Sequence, residues 1–182
     1  MRPPPRAARP ALAAALALVA LATMGLPARA ERPSTPPTGA AVDAEERRVV
    51  RASDGDTIVL EGGERVRLIG VDTPEIHHPN ARVRDFAAAA ARFTRDRTVG
   101  RAVRLEFEPG PREDRYGRTL AYVFLPDGEF LNLAIVREGY GFAYTRFPFA
   151  YRAEFKRAET EARRARRGLW ADLGNDARRN AR

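Results

Sequence analysis

Three short stretches of the chain carry side chains that suit a divalent cation, a phosphate group and a water molecule. They are Asp54-Gly55-Asp56-Thr57, the run from Arg67 to Glu75, and the run from Asp114 to Arg118. Carboxylates suit a hard cation such as Ca²⁺, and arginines match the fork geometry of a phosphate. A single glutamate, Glu75, stands beside both kinds of group and could deprotonate a water. The order and spacing of the stretches in a short chain indicate a site that cuts phosphodiesters.

These stretches need a scaffold, and the pattern of apolar residues predicts mostly short strands. Val103, Leu105 and Phe107 alternate with charged residues, which is the period of a half-buried strand. The two glycines of the segment 61–64 favour a hairpin turn. We predict strands over residues 48–52, 57–60, 66–71, 103–107 and 119–125.

Three helices are predicted around these strands. Apolar residues recur at helical spacing from Val83 to Thr94, in a helix that ends before Gly100. Asn132 is predicted to cap a short helix that stops at Gly139, and a longer helix runs from about 150 to 167, ended by Gly168. Five short strands with one helix after the third predict a β-rich α+β fold, a five-stranded barrel of the oligonucleotide-binding (OB) type with about three helices.

The two ends of the chain are predicted to lie outside this domain. Residues 1–30 have a positive start, an apolar run and an A-x-A site, which is typical of an export signal; an uncleaved anchor is the alternative. We predict a Pro-rich linker over 31–46, the folded domain over 47–173 and a basic tail over 174–182. Removal of the signal would lower the net charge from +8 to +4, because it holds four arginines and no acid. There is no cysteine, so the fold relies on its core.

The three stretches resemble the signature of the staphylococcal nuclease (thermonuclease) family. The likeness runs from about Val49 to Trp170, and the ending Arg167-Gly168-Leu169-Trp170 also resembles that of many bacterial members. The resemblance implies a five-stranded barrel with three helices and Ca²⁺-dependent cleavage of DNA and RNA.

By this resemblance, Asp56 and Asp72 provide carboxylates to Ca²⁺, together with the backbone carbonyl of Thr73. Ca²⁺ takes about six to eight oxygen ligands, so two carboxylates leave room for water and phosphate. Asp54 is expected to brace the turn, or to lie just outside the direct ligands of the ion, instead of binding the ion itself. The alternative is that the Asp-Gly-Asp segment is only a turn, which these residue types favour.

Arg67 and Arg118 are implied to contact the scissile phosphate, where lysine would lack the planar fork. Arg67 lies on the strand face opposite Val66 and Leu68, so a solvated arginine is its alternative interpretation. Glu75 is implied to be the general base for the attacking water; the alternatives are an orienting role or an ordinary loop glutamate.

A further set of residues is expected to bind the rest of the substrate. Asp114, Arg115 and Tyr116 match the acidic-basic-aromatic run of the family, with Asp114 in a supporting role. Tyr116 and Tyr144 are predicted to bind a terminal phosphate or flank a nucleoside, although either could simply pack in the fold. The type member of the family has a tyrosine where this chain has Arg146, whose guanidinium can stack on a base or meet a phosphate.

His77 and His78 are the only histidines of the chain. Adjacent histidines project in different directions, and no cysteine or second histidine pair completes a zinc ligand set. We therefore interpret them as loop residues.

The leading hypothesis is an exported nuclease, periplasmic or extracellular, that cuts DNA and RNA with low sequence specificity and favours single strands. The resemblance implies water attack on phosphorus and 3′-phosphate products. We expect a monomer with no obligate protein partner and no membrane association after signal cleavage. One alternative is a non-catalytic OB barrel that binds single-stranded nucleic acid. Another is a Ca²⁺-stabilised exported domain with a protein partner.

Overall fold

The structure is a computed structural model, and it describes residues 45–172. The predicted signal peptide (1–30), the linker up to residue 44 and the tail (174–182) lie outside the described residues. Within residues 45–172, no helix is both long enough and apolar enough to cross a membrane.

Five strands close into a barrel in the order β1-β2-β3-β6-β5, which confirms the predicted fold. Neighbouring strands are antiparallel except for β3 and β6, which run parallel. A separate two-stranded ribbon, β4 with β7, lies outside the barrel order. The strands are β1 Glu45–Ala52, β2 Thr57–Leu60, β3 Arg65–Leu68, β4 Val71–Asp72, β5 Ala102–Glu106, β6 Thr119–Phe124 and β7 Phe142–Ala143.

Alternation along the strands fills the barrel with apolar side chains. In β3, Val66 and Leu68 are buried while Arg65 is exposed and Arg67 is half-buried, as the period of two predicts. The interior is completed by similar side chains of the other strands, among them Ile58, Leu60, Val103, Leu105 and Val123.

The predicted third strand, 66–71, is in fact two strands. β3 ends at Leu68, and Gly70 adopts a positive φ of 78°, which a strand ladder does not accommodate. The rings of Phe149 and Phe155 pack against this glycine so closely that a Cβ there would lie 2.9 Å from each. Only glycine fits both conditions, and the break turns Val71–Asp72 away from the barrel to pair with β7.

Four helices surround the barrel: α1 Ala81–Thr98, α2 Leu131–Arg137, α3 Arg152–Arg164 and α4 Leu169–Asp172. Asn80 caps α1 by accepting a hydrogen bond from the amide of Arg82 at 2.9 Å. The predicted apolar stripe of α1 is confirmed, since Val83, Ala87 and Ala90 are buried.

The prediction that Asn132 caps the second helix is wrong. The helix begins at Leu131, and Asn132 is fully buried inside it. Its amide donates to the carbonyl oxygens of Ile69 (3.0 Å) and Ala121 (3.1 Å), while its Oδ1 accepts from the amide of Val123 at 2.9 Å. Asn132 thus makes hydrogen bonds to backbone groups of the barrel and of the segment after β3. A sequence pattern does not distinguish an asparagine in this role from one that caps a helix.

The last helix closes a second, smaller core. α3 ends at Arg164, earlier than predicted, and Gly168 precedes the short helix α4. Trp170 of α4 is buried and meets Phe142 of β7 edge to face, with ring centroids 5.4 Å apart. Val83 of α1 and Ala162 of α3 belong to the same cluster. α4 therefore ties the first and third helices to the β4–β7 ribbon.

Candidate functional site

The turn between β1 and β2 presents a buried carboxylate to several donors. Asp56 is only 7% exposed. Its Oδ2 accepts a hydrogen bond from the amide of Thr73 at 3.0 Å and lies 3.1 Å from Nη2 of Arg67. Its Oδ1 accepts from the hydroxyl of Thr57 at 3.1 Å. The first two sequence stretches therefore meet at Asp56.

Helix α1 fixes the shape of this turn. The hydroxyl of Thr94 donates to the carbonyl oxygen of Gly55 at 2.7 Å. A Cβ on Gly55 would lie 2.7 Å from Ala90 Cβ and from Thr73 Cγ2, closer than such atoms can approach. The glycine of the Asp-Gly-Asp stretch is thus required by the helix and by the chain around Thr73.

Asp54 braces the turn from within, as the sequence predicts. Its Oδ1 accepts a hydrogen bond from the amide of Asp56 at 3.1 Å. Burial, together with the adjacent negative charge of Asp56, raises the pKa of Asp54 to about 6. Burial and the neighbouring carboxylate therefore both disfavour a negative charge on Asp54, whereas the Asp56 carboxylate contacts the guanidinium of Arg67.

The end of β4 supplies the remaining candidate metal ligands. Asp72 is half-buried and lines a cleft, and the amide of Thr73 contacts Asp56. The two carboxylates and the carbonyl oxygen of Thr73 are all hard oxygen donors, which fits Ca²⁺. Between residues 45 and 172, no group of three or more histidine, aspartate or glutamate side chains forms a metal cluster. Further ligands would have to come from water or substrate.

The parallel pairing of β3 and β6 brings the two predicted phosphate ligands into one region. Arg67 is paired in register with Leu120, and Arg118 immediately precedes β6. Both side chains line the same cleft. Nη1 of Arg67 donates to the carbonyl oxygen of Leu68 at 3.0 Å, so this guanidinium is held by its own strand as well as by Asp56.

Asp114 holds Arg118 in place through both of its carboxylate oxygens. Oδ2 accepts from Nε and lies equally close to Nη2, each at 2.7 Å, while Oδ1 accepts from the backbone amides of Arg118 (3.0 Å) and Tyr116 (2.8 Å). Burial alone would raise the pKa of Asp114, but these hydrogen bonds outweigh it and the pKa is lowered. Asp114 therefore acts as an anion that positions the guanidinium.

The cleft has a volume of about 660 Å³ and lies beside the Arg67–Arg118 pair. The predicted substrate-binding residues line it, together with the two arginines and Asp72, one of the predicted metal ligands. Its lining includes Arg67, Asp72, Arg115, Tyr116, Arg118, Tyr144 and Arg146.

The cleft also carries exposed aromatic rings. Tyr116 is 62% exposed, and its hydroxyl accepts a hydrogen bond from Nη2 of Arg115 at 2.6 Å. Phe147 is equally exposed, and its ring centroid lies 6.1 Å from that of Tyr144. Phe147 was not among the predicted site residues, because a single phenylalanine in a loop gives no signal of exposure in the sequence.

Glu75 follows the buried Pro74 and is exposed to solvent. Its side chain is not part of the cleft lining as the structure describes it, although its backbone continues directly from Asp72 and Thr73. The loop that follows is fixed: the amide of His78 donates to the carbonyl of Glu75 at 3.2 Å, and Nη1 of Arg84 donates to the carbonyl of His78 at 3.0 Å. His77 and His78 thus lie in a loop, as predicted.

Comparison with known proteins agrees with this geometry. Residues 65–172 match the family model described as staphylococcal nuclease homologue. The chain is 42% identical to the thermonuclease of Staphylococcus intermedius over 133 residues, which cover 71% of this chain and 78% of that protein. It is 36% identical to the thermonuclease of Staphylococcus hyicus, over 69% of this chain and 75% of the relative. It is also 36% identical to the endonuclease YncB of Bacillus subtilis, over 68% of this chain and 61% of the relative.

Proposed function

Because this chain belongs to the staphylococcal nuclease family, we propose that it is an exported, Ca²⁺-dependent nuclease that hydrolyses phosphodiester bonds of DNA and RNA. The observation that carries the proposal is that Arg118 lines one cleft with Arg67 and Asp72, although helix α1 and strand β5 separate it from them in the sequence. Such a set can neutralise a phosphate and place it beside a cation.

The two arginines would bind the equatorial oxygens of the scissile phosphate. Asp56 and Asp114 already fix their guanidinium groups through direct contacts, so little reorganisation is needed when substrate binds. Negative charge grows on these oxygens in the transition state, where fixed donors are most effective.

Glu75 would take a proton from the attacking water. The water oxygen attacks phosphorus and the bond from phosphorus to the 5′ oxygen breaks. The phosphate stays on the 3′ side, and the departing 5′ oxygen takes up a proton from solvent to become a hydroxyl. The exposure of Glu75 supports access to water. Only Pro74 separates Glu75 from Thr73, and this closeness in the sequence supports a position near the proposed metal ligands.

Asp56, Asp72 and the carbonyl oxygen of Thr73 would hold Ca²⁺. When bound, the ion would supply positive charge next to the phosphate and offset the repulsion between the buried acids of the turn. The hydrogen bond from the amide of Asp56 to the Asp54 carboxylate supports a role for Asp54 in bracing the turn.

Single strands are the favoured substrate in this proposal, and the protein acts as a monomer. Exposed rings such as Tyr116 can stack on any base, and arginines can contact any backbone. Neither kind of contact reads base edges, so weak sequence selectivity is expected.

The test is cleavage of a single-stranded oligodeoxynucleotide with added Ca²⁺ or with a chelator, by the wild type and by Glu75→Gln. Glutamine cannot accept the proton, so kcat should fall by about 10²–10⁴-fold. Cleavage by the wild type should require Ca²⁺, and mass spectrometry of the products should show 3′-phosphate ends.

Glu61→Gln provides a matched control, because Glu61 is an exposed glutamate in the turn after β2. Circular dichroism would establish that all variants are folded. A folded wild type that binds the oligonucleotide and does not cut it with Ca²⁺ present would overturn the enzyme and favour a non-catalytic binding barrel.

A further inference from the structure

The loop between β7 and α3 is attached to the barrel at both ends. At its start, the amide of Tyr144 donates to the carbonyl oxygen of Gly70 at 2.8 Å. Near its end, the ring of Phe149 packs on Phe155, with centroids 5.3 Å apart, and closely approaches Gly70. Residues 145–148 therefore span a short distance between fixed points.

A half-buried glutamate, Glu108, and a buried tyrosine, Tyr122, strengthen the second attachment. Glu108, which lines the cleft just after β5, accepts hydrogen bonds from the amide of Ala150 at 2.6 Å and from the hydroxyl of Tyr122. Tyr122 is buried in β6 and packs edge to face on Tyr151. Glu108 thus links the end of the loop to two strands of the barrel.

The segment between these attachments presents a cation and a ring to the cleft. Arg146 and Phe147 both line it and are both exposed. A phenylalanine ring that is 62% exposed in a well-anchored loop lacks the packing that usually covers such a side chain.

Arg146 differs from the other arginines of the cleft. Arg67 pairs with Asp56, Arg118 pairs with Asp114, and Arg115 donates to the hydroxyl of Tyr116. In the part of the chain that the structure describes, Arg146 has no ion-pair or hydrogen-bond partner. Its charge is therefore available to an anion without displacement of an acid.

We propose that Arg146 and Phe147 form a separate nucleotide subsite, in which Phe147 stacks on one base and Arg146 binds a phosphate adjoining that nucleotide. The subsite would hold the strand at a linkage other than the one that is cut. This inference rests on the proposed nuclease function, and it assigns Arg146 to a phosphate instead of a base.

The two contacts have different dependences on salt, which makes them separable. Each phosphate neutralised on a single strand contributes a slope of about −0.7 to the plot of log affinity against log salt. Stacking on a neutral ring releases no counterion, and its loss costs about 5- to 150-fold in affinity.

The experiment measures binding of a fluorescein-labelled oligodeoxythymidylate by fluorescence anisotropy, with a chelator present to prevent cleavage, across a range of salt. Arg146→Gln should make the salt slope shallower by about 0.7, and Arg146→Lys should restore it because the charge is retained. Phe147→Ala should weaken binding by about 5- to 150-fold with the slope unchanged.

Arg92→Gln is the matched control, because Arg92 is an exposed arginine of α1 outside the cleft. The slope of log affinity against log salt for Arg92→Gln should equal that of the wild type. The proposal is overturned if Arg146→Gln keeps the wild-type slope, if Arg146→Lys loses as much slope as Arg146→Gln, or if the wild type does not bind. In each case, Ca²⁺-dependent cleavage by the wild type would leave the nuclease function standing, whereas absence of cleavage would remove both.

Discussion

At the residue scale, the candidate site consists of arginines that acids hold in position. Arg67 contacts Asp56 at 3.1 Å, and Arg118 contacts Asp114 at 2.7 Å. An arginine side chain that is free in solution loses substantial rotamer entropy when it binds a phosphate. Here that entropy has already been lost on folding, which favours tight and well-oriented phosphate contacts.

Asp114→Asn tests how strongly one acid stabilises this arrangement. The amide group of asparagine would face Nε of Arg118, so we expect unfolding at pH 7 to require about 1–3 kcal/mol less free energy than in the wild type. The pKa of Asp114 is lowered in the folded state, so its stabilisation is present above about pH 4 and is lost as the pH falls through the folded-state value. Urea unfolding should therefore show a gap between the two proteins that narrows towards pH 3.

Asp127→Asn serves as the control for this measurement. Asp127 is exposed, and its carboxylate accepts a hydrogen bond from the amide of Glu129 at 3.0 Å. Within residues 45–172, no arginine forms an ion pair with it. Asp127→Asn should therefore change the free energy of unfolding only slightly. A gap for Asp114→Asn that stays constant from pH 7 to pH 3 would contradict the assigned role.

At the scale of the elements, helix α2 is fixed to the barrel by a polar side chain. Asn132 makes hydrogen bonds to the backbone of Ile69, Ala121 and Val123. Ile69 follows β3 and leads to Gly70, where the chain turns towards Asp72. The orientation of the β4–β7 ribbon, which carries the proposed metal ligand Asp72, therefore depends partly on this buried amide.

Asn132→Ala should lower the free energy of unfolding by about 2–5 kcal/mol, because it removes three hydrogen bonds between a buried side chain and the backbone. Asn80→Ala, which removes only the exposed cap of α1, should cost about 0.5–2 kcal/mol. Urea denaturation of both variants gives the comparison. Equal losses for the two asparagines would argue against the structural role of Asn132.

The same residues show which features of the fold the sequence could predict. Alternation identified Val103 and Leu105 as inward residues of β5, and helical spacing identified Val83 and Ala87 in α1, because both signals are local. The β4–β7 ribbon was missed because two-residue strands have no period to detect.

The site residues were predicted mainly from the family motifs, and less from the periodicity of apolar residues. The family resemblance supplied Arg67, Asp72 and Arg118, and the structure places all three on one cleft. Exposure of Phe147 and the contacts of Asn132 depend on chain segments that are distant in sequence, so no local signal could have given them.

At the scale of the whole molecule, the domain is closed by its last described helix. Trp170 packs on Phe142, and Cζ of Arg163 lies over the Trp170 ring, 4.5 Å from its centroid. Phe142 is paired in register with Asp72. The end of the folded chain thus supports the back of the strand that carries a proposed metal ligand.

Trp170→Ala should destabilise the protein by about 3–5 kcal/mol, the usual loss for a large aromatic residue removed from a core. Thermal unfolding followed by circular dichroism measures it, since the variant lacks the only tryptophan. Trp170→Phe keeps most of the ring volume, so its loss of stability should be clearly smaller than that of Trp170→Ala. A Trp170→Ala protein as stable as the wild type would show that α4 is dispensable for the fold.

Because β3 pairs in parallel with β6, the candidate site does not exist in the unfolded chain. Strands β4 and β5 and helix α1 all intervene between the two partners, so Arg67 and Arg118 meet only when the barrel closes. A newly made or partly folded chain would have no complete cutting centre. Until the barrel has closed, the protein would therefore not cleave the nucleic acids of the cell that makes it. Folding itself would control when activity appears.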